Sequence, residues 1–377
     1  MNMPDAVTGL VRLPWRDALA ALMADVSPPC VSIYLQTHRR GPAIRQDPPR
    51  LRASIGEAAA ALETLDMRPA QVATFIEPVR KLLDDAPFWQ HQDNGLALFL
   101  SARAAYRVSL PRLDGDMVVV GERFHLLPLV ELCDDAHSVL VLALSAHRVR
   151  LFTADRFVIE EIAVPGLPDG IDDTRPEHVD QPALQLRRAA AGPSDAALFH
   201  GHGGVKDAAA DQRTRYLQAV DRALRPVLAR RDDPIVLAGD ATLLAEFRAV
   251  TGPAHVIGEL HGSPDRVSPS TLRDGAWRLR YPPIVAERRA AWEAYASAAD
   301  TPRAIDEPAA IAAAAVDGRI QMLLVASAAD HIRTDPEEFS WVNDAVVHTL
   351  QHGGDVQVLA GRDVHSGRLP AALLRYA

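Results

Sequence analysis

Three strand-like runs in close succession set the strongest limit on what this chain can fold into. Residues 139–144, 148–152 and 157–164 are each rich in apolar and β-branched side chains, with only three or four residues between them. Gaps that short leave no room for a crossover helix, so the three predict an antiparallel meander. The pattern then changes. Residues 165–199 are polar and aperiodic, a stretch longer than most connections within a compact domain. Beyond it Tyr216, Leu217, Val220, Leu224, Val227 and Leu228 recur at helical spacing, predicting a long helix from about Lys206 to Arg231. A strand at 235–238 and a helix at 241–249 follow. A meander that gives way to helix, strand and helix implies helices packed on a mixed sheet.

The flanks repeat the theme. The first third predicts a helix at 16–25, a buried strand at 30–35, and a helix at 47–65 with Pro48 and Pro49 in its first turn behind Asp47 as cap. A helix from Pro69, strands at 96–100, 106–110 and 117–120, and a helix at 126–132 complete it. The last third predicts a helix at 270–280 interrupted by Pro282 and Pro283, a charged helix at 284–298 and an alanine-rich helix at 304–315. A strand at 322–326, a helix at 341–350, a strand at 356–359 and a closing edge strand at 369–376 end the chain. At 377 residues the chain exceeds one ordinary domain. The expectation is a mixed α/β (α+β) protein of three domains, 1–134, 135–266 and 267–377, each a β-sheet packed with helices.

Charge narrows the function classes. The net charge is −9, which argues against a protein that coats nucleic acid. The cations are unevenly placed, however. All but two of the 40 basic residues are arginine, the exceptions being Lys81 and Lys206. Residues 37–52 hold Arg39, Arg40, Arg45, Arg50 and Arg52 against Asp47. The long helix carries Lys206, Arg213, Arg215, Arg222, Arg225, Arg230 and Arg231 against Asp207, Asp211 and Asp221. These two segments are the candidate RNA contacts, since guanidinium groups pair readily with phosphate. The two cysteines, Cys30 and Cys133, cannot build a disulfide framework or a zinc–thiolate cluster and are expected to be small core residues. No secretory signal opens the sequence and no window reaches the roughly 20 apolar residues of a bilayer span. A cytoplasmic chain without membrane contact is the expectation.

The most unusual local sequence is His200-Gly-His-Gly-Gly-Val-Lys206. Glycines ahead of a helix expose backbone N–H groups at its positive end, which favours an anion. Nucleotide motifs nevertheless fail on spacing. A phosphate loop needs glycine directly before lysine and then Ser or Thr, whereas Val205 precedes Lys206 and Asp207 follows it. A dinucleotide fingerprint needs glycine where Lys206 stands. His200 and His202 are candidate metal ligands by alternation along an extended loop, with His178 or Asp207 as further donors, but no spacing defines a set. No serine lies in a nucleophile elbow. No cofactor is implied, and no catalytic residue stands out. A hydrolase or nuclease using His200, His202 and nearby carboxylates is one alternative function, and a stress-related interaction scaffold is another.

In order along the chain, several segments resemble the archaeo-eukaryotic class-1 release factor and Pelota superfamily, in its bacterial branch. Val31-Ser-Ile-Tyr-Leu35 is similar to the opening strand of the family's N-terminal domain, and Asn94-Gly-Leu-Ala-Leu-Phe-Leu100 to its Asn-Gly-Leu strand. Arg123-Phe-His125, a leucine-rich helix and Asp134-Asp135 resemble the passage into the middle domain. Residues 148–152 resemble that domain's second strand, and Val236-Leu-Ala-Gly239 the strand after its long helix. Gly201-His-Gly-Gly204 stands where the family carries Gly-Arg-Gly-Gly-Gln, directly before a long basic helix. Residues 318–326 and Leu373-Leu-Arg-Tyr376 resemble the first and last strands of the third domain.

The resemblance implies a ribosome partner, with the middle-domain tip (His200, Gly201, His202, Gly203, Gly204, Val205 and Lys206) reaching the peptidyl-transferase centre. It also implies rRNA contacts by Arg39, Arg40, Arg45, Arg50, Arg52, Arg213, Arg215 and Arg222 around the A site. A translational GTPase is an implied partner of the third domain. Two departures limit the activity. Val205 occupies the family's glutamine position, and an isopropyl group neither donates nor accepts a hydrogen bond. The stop-codon motifs are missing as well. No Asn-Ile-Lys-Ser stands near residues 45–48, and of Tyr-x-Cys-x-x-x-Phe only Phe124 remains, with Val118 and Val120 in the polar places. Pelota relatives lack the same features and bind stalled ribosomes. The expectation is a factor for ribosome rescue, stalling response or hibernation, without stop-codon reading or peptidyl-tRNA hydrolysis.

Overall fold

The structure, a computed structural model, describes residues 9–174, 203–251, 255–327, 336–359 and 369–376; the side chains of 203–208 and 336–339 lie outside the description. The chain divides into two compact units. One joins residues 1–135 to 285–377, and the other comprises 136–284. Each of the three segments expected from sequence carries one sheet, and all three sheets are packed with helices, so the mixed α/β class holds.

In the first unit, β1 (Leu10–Leu13), β2 (Cys30–Gln36), β3 (Gly95–Leu100), β4 (Ala105–Leu110) and β5 (Met117–Gly121) form a sheet of order β1-β4-β3-β2-β5. Only the β1–β4 pair is parallel. The central strands β2 and β3 are buried on both faces, which explains their unbroken apolar runs. One face is covered by α2 (Asp47–Thr64) and α3 (Pro69–Arg80), through Leu51, Ile55, Leu62, Val72, Ile76 and Val79. Two shorter helices, α1 (Trp15–Ala24) and α4 (Ala86–Gln90), flank the strands, and α5 (Leu127–Asp135) leads out of the segment.

In the second unit, β6 (Val139–Leu144), β7 (Val149–Ala154) and β8 (Ile159–Ile162) make the expected meander. Here α6 (Gly203–Leu228) buries Tyr216, Leu217, Val220 and Leu224, the stripe read from sequence. β9 (Ile235–Gly239) pairs parallel with β6, α7 (Ala241–Val250) packs beside α6, and β10 (Val256–His261) extends the sheet to β10-β9-β6-β7-β8. Gly239 is required where β9 meets β6, because a Cβ there would lie 2.6 Å from the Leu144 carbonyl oxygen.

The third sheet belongs to the first unit. Its strands are β11 (Ala304–Ile305), β12 (Ile320–Ala326), β13 (Asp355–Leu359) and β14 (Ala371–Leu374), in the order β11-β14-β12-β13. α9 (Pro308–Val316) and α10 (Pro336–Gln351) share a core with this sheet, and Leu127 and Val130 of α5 complete that core. Trp292 and Tyr295, late in α8 (Pro269–Ser297), join a separate cluster with Leu324 and Leu359.

Several expectations need correction. Pro282 and Pro283 do not end a helix: α8 runs through them. Each proline removes one i−4 hydrogen bond, and side chains on both sides of the pair are anchored, Leu272 and Ala276 in one cluster and Trp292 and Tyr295 in another. The alanine-rich helix begins at Pro308, not 304, because Glu307 caps it by accepting from the Ala310 N–H; residues 304 and 305 are strand instead. That strand pairs outside β14, which is therefore interior and fully buried instead of an edge. Asp47 is not a cap but the first residue of α2. β1 and β10 were not legible, being short or only half-buried. Cys30 is buried as expected, while Cys133 is half-buried.

One pair in α10 makes stability depend on pH. Burial raises the half-buried Asp344 carboxyl above its usual range, against the opposing pull of Arg123 and His348 and with a further push from Glu122. Burial lowers His348 one turn on, with help from Arg123 and His352 and opposition from Asp344. A raised carboxyl holds its proton more tightly folded than unfolded, so its stabilisation is full below the unfolded value and lost as pH rises through the folded one. His348 acts oppositely, removing stability as pH falls below about 6.5. Asp344→Asn is thus expected to raise the urea midpoint at about pH 7 and to give no gain near pH 4. Paired urea titrations at the two pH values check this.

Candidate nucleic-acid interface

The first basic segment is a loop held at both ends. Leaving β2, Thr37 donates from its N–H to the Asn94 carbonyl (3.2 Å) and from Oγ1 to the Asp93 carbonyl (2.8 Å). Gly41, at φ +90°, turns the chain into a single turn of 3-10 helix, Pro42–Gln46, which runs directly into α2. Asp47 is completely buried and reaches back across this turn. Its Oδ2 accepts the His38 backbone N–H at 3.0 Å and its Oδ1 lies 2.8 Å from His38 Nδ1. The loop is closed on itself by one carboxylate.

Arg50 provides the second clamp. Its Nε and Nη2 donate to both oxygens of Asp116 at 2.9 and 2.6 Å, and its Nη1 donates to the Gln36 carbonyl at 2.9 Å. The same Asp116 accepts the Gln36 N–H at 2.8 Å. A two-point guanidinium–carboxylate contact fixes orientation as well as distance. Arg50 therefore positions the loop and has few donors left for RNA. Neither Asp47 nor Asp116 was identified from sequence as part of the site. Asp116 is 66 residues away from Arg50, and no local pattern signals it.

What the clamped loop and the start of α2 display is positive charge. Arg39, Arg40, Arg45 and Arg52 are all exposed. Arg39 has a loose pair with Asp93 at 3.5 Å, both side chains being largely in solvent, and such pairs hold weakly. Arg40, Arg45 and Arg52 have no carboxylate partner among the described residues. Their guanidinium groups are available to an external anion.

The second basic segment is α6. It starts at Gly203, three residues before the expected Lys206, so Gly203, Gly204, Val205 and Lys206 form its first turn. First-turn N–H groups have no intrahelical acceptor and point outward for one. His200, Gly201 and His202 lie outside the described residues, as do His178 and the side chain of Asp207. Farther along, Arg213 is engaged, its Nε donating to Glu246 of α7 at 3.1 Å. Arg225 pairs with Asp221 one turn back at 2.6 Å. Arg215 and Arg222, seven residues apart and so on one face, are exposed without a carboxylate partner among the described residues.

Neither cysteine is placed as a nucleophile. Burial pushes the Cys30 thiol up to about 12, with Asp25 adding to the effect. Burial also raises Cys133. Neither is an activated thiolate. Among the described residues no three His, Cys, Asp or Glu side chains converge as metal ligands. No helix among them is long and apolar enough to cross a membrane.

Comparison with known proteins agrees with the resemblance read from the residues. Residues 140–319 match the family model for bacterial archaeo-eukaryotic release factor family 3. That stretch contains α6 and Val205 but not the loop at 37–52. No curated protein matches the sequence. Among solved structures, an archaeal translation termination factor, aRF1, is 13% identical over 97% of this chain and 99% of its own, with a TM-score of 0.25. Archaeal Pelota, from a model of Pelota and ABCE1 on the ribosome, is 12% identical over 72% of each chain with a TM-score of 0.42. Pelota of Archaeoglobus fulgidus is 12% identical over 100% of this chain and 97% of its own, with a TM-score of 0.32.

Proposed function

We propose that this chain, release-factor-like over residues 140–319, is a ribosome-associated translation factor of the termination and rescue class. On this reading it works in the cytoplasm at the ribosomal A site, in ribosome rescue, a stalling response or hibernation. It neither reads stop codons nor hydrolyses peptidyl-tRNA. The observation that carries the reading is the clamped loop. In a chain of net charge −9, a buried carboxylate and a two-point guanidinium contact hold one short segment that displays Arg39, Arg40, Arg45 and Arg52 to solvent. Exposed guanidiniums on one held segment, three of them without a described carboxylate partner, suit a phosphate backbone, and the acidic remainder disfavours other orientations. Arg215 and Arg222 supply a second contact, along α6.

Val205 supports the loss of hydrolysis. By the resemblance it stands in the family's glutamine position, and its isopropyl group offers no hydrogen bond to a water or a tRNA terminus. Docking of a translational GTPase is assigned to the third segment, which from Thr301 onward carries ten acidic against six basic residues.

Sucrose-gradient sedimentation of lysates from growing, starved and stalled cells tests the reading. The chain is expected in ribosomal fractions in at least one state at low salt, and purified ribosomes carrying peptidyl-tRNA are expected to release no peptide when it is added. A chain that stays at the top of the gradient in every state sinks the ribosome reading. Peptide release at the rate of a bona fide release factor sinks the second half alone.

A further inference from the structure

The second unit has a crevice of about 430 Å³ at one end of its sheet. Strands β6, β9 and β10 run parallel, and the segments that leave their carboxyl ends build its wall. Ser145 and His147 follow β6, Asp240 and Thr242 follow β9, and Ser263 and Asp265 follow β10. β6 and β9 are neighbours, yet the chain leaves them in opposite directions, from β6 toward β7 and from β9 toward β10. Open sheets bind small molecules outside the carboxyl ends of their strands, where the connections diverge in this way. The volume lies within the range of such sites, about 300–1,000 Å³. Of the six residues only Ser145 is half-buried and the others are exposed, so the wall is surface that a ligand can touch.

Each segment is fixed in place. Ser145 Oγ accepts the His147 and Arg148 N–H groups at 3.0 and 2.9 Å. The Gly262 N–H donates to the Gly239 carbonyl at 3.0 Å, and Arg150 Nη2 donates to the Pro264 carbonyl at 3.1 Å. Asp240 caps α7, its Oδ1 accepting the Thr242 and Leu243 N–H groups at 3.0 and 3.4 Å. Its Oδ2 has no partner among the described residues, and neither has the Asp265 carboxylate or the hydroxyl of Thr242 or Ser263. Glu246 and Arg213, also on the wall, pair with each other at 3.1 Å, which leaves Arg213 further N–H donors. Free acceptors, spare donors and hydroxyls that do both stand together. Sugar hydroxyls, which also donate and accept, match such a wall. A phosphate does not, because Asp240 already takes the α7 N–H groups that would hold it and only His147 opposes the two unpaired carboxylates. In dinucleotide-binding sheets one carboxylate beyond the first crossover helix holds the ribose 2′-hydroxyl, and Asp240 stands beyond the crossover from β6 through α6 to β9.

We propose that this crevice binds the ribose of a free nucleoside, with its vicinal hydroxyls on Asp240 Oδ2 and the hydroxyls of Thr242 and Ser263. The proposal does not rest on ribosome binding, since none of the exposed arginines of the clamped loop lines the crevice.

Calorimetric titration of the full chain with adenosine and with uridine, each beside its 2′,3′-dideoxy analogue, tests it. At least one ribonucleoside is expected to bind saturably at one site. Its dideoxy analogue is expected to bind roughly tenfold more weakly, the loss of one hydrogen bond to a charged group. Adenosine 5′-monophosphate is expected to bind no more tightly than adenosine. Asp240→Ser keeps a capping oxygen for α7 and removes the free one, and should bring the ribonucleoside down to the affinity of its analogue. Ser263→Trp breaks no side-chain hydrogen bond, places a large ring at an exposed lining position, and should weaken every ligand. The proposal is overturned by absence of saturable ribonucleoside binding, by equal binding of the dideoxy analogue, or by tighter binding of the monophosphate. A preference that survives Asp240→Ser, or binding indifferent to Ser263→Trp, overturns it as well.

Discussion

Arg40→Glu/Arg45→Glu/Arg52→Glu is expected to abolish co-sedimentation with ribosomes while leaving the fold intact. All three side chains are exposed and make no ion pair with a described carboxylate, so reversing them removes no internal partner. Surface changes of this kind alter stability by about 0.5 kcal/mol or less. Binding should respond far more strongly. Each phosphate contact contributes a slope of roughly 0.7–0.9 in log affinity against log salt. Three contacts then predict a fall of roughly 20- to 40-fold for the wild type between about 50 and 200 mM salt. The reversed chain replaces three attractions by three repulsions and should lose at least as much at the lowest salt.

Bulk charge must be separated from the cluster. Arg80→Glu/Arg266→Glu/Arg289→Glu changes net charge equally at exposed positions outside both basic segments. This control is expected to sediment like the wild type. If it is lost equally, or if the loop variant still sediments with ribosomes, the clamped loop is not the contact. A variant at Arg50 would be uninformative here, because its guanidinium holds Asp116 and the Gln36 carbonyl.

The contrast between Arg50 and its neighbours shows where sequence reading succeeds and where it stops. That residues 39–52 form a basic segment is visible in one line of text, because clustering of like charge is a local property. Which of the five arginines faces outward is decided by Asp47 and Asp116, and only the first is nearby in sequence. The same division runs through the fold. The meander and the stripe on α6 were legible because periodicity of two or 3.6 is imposed by burial on neighbouring residues. β11 was not, since two residues, Ala304 and Ile305, pair with a strand almost 70 positions later. The alanine-rich run from 309 onward disguised it as helix. Pro282 and Pro283 misled in the opposite direction. Local propensity favoured a break, while packing on both sides of the pair maintained the helix.

Long-range partnership is also what makes residues 1–135 and 285–377 one compact unit, and Asn343 is where it is most exposed to test. This residue of α10 is 4% exposed. Its Oδ1 accepts the Leu126 N–H at 2.7 Å, and its Nδ2 donates to the Phe124 carbonyl at 3.0 Å. Both partners precede α5, more than 200 residues earlier, and neither backbone group has another regular partner in a strand there. Asn343→Leu puts an apolar side chain of similar size in place of the amide and orphans one buried donor and one buried acceptor. Each orphan costs about 1–3 kcal/mol, so the loss should be about 2–6 kcal/mol, a large part of a typical folding free energy. Gln351 offers an internal comparison. It too joins the chain's two ends, donating from Nε2 to the Met23 carbonyl at 3.2 Å, but at an exposed position where water can replace it. Gln351→Leu should therefore stay within about 0.5 kcal/mol of the wild type. Urea midpoints for the two variants, read at equal slope, decide the matter. Similar small losses in both would mean that the Asn343 bridge does not hold the ends together, and that the shared core around Leu127 and Val130 suffices.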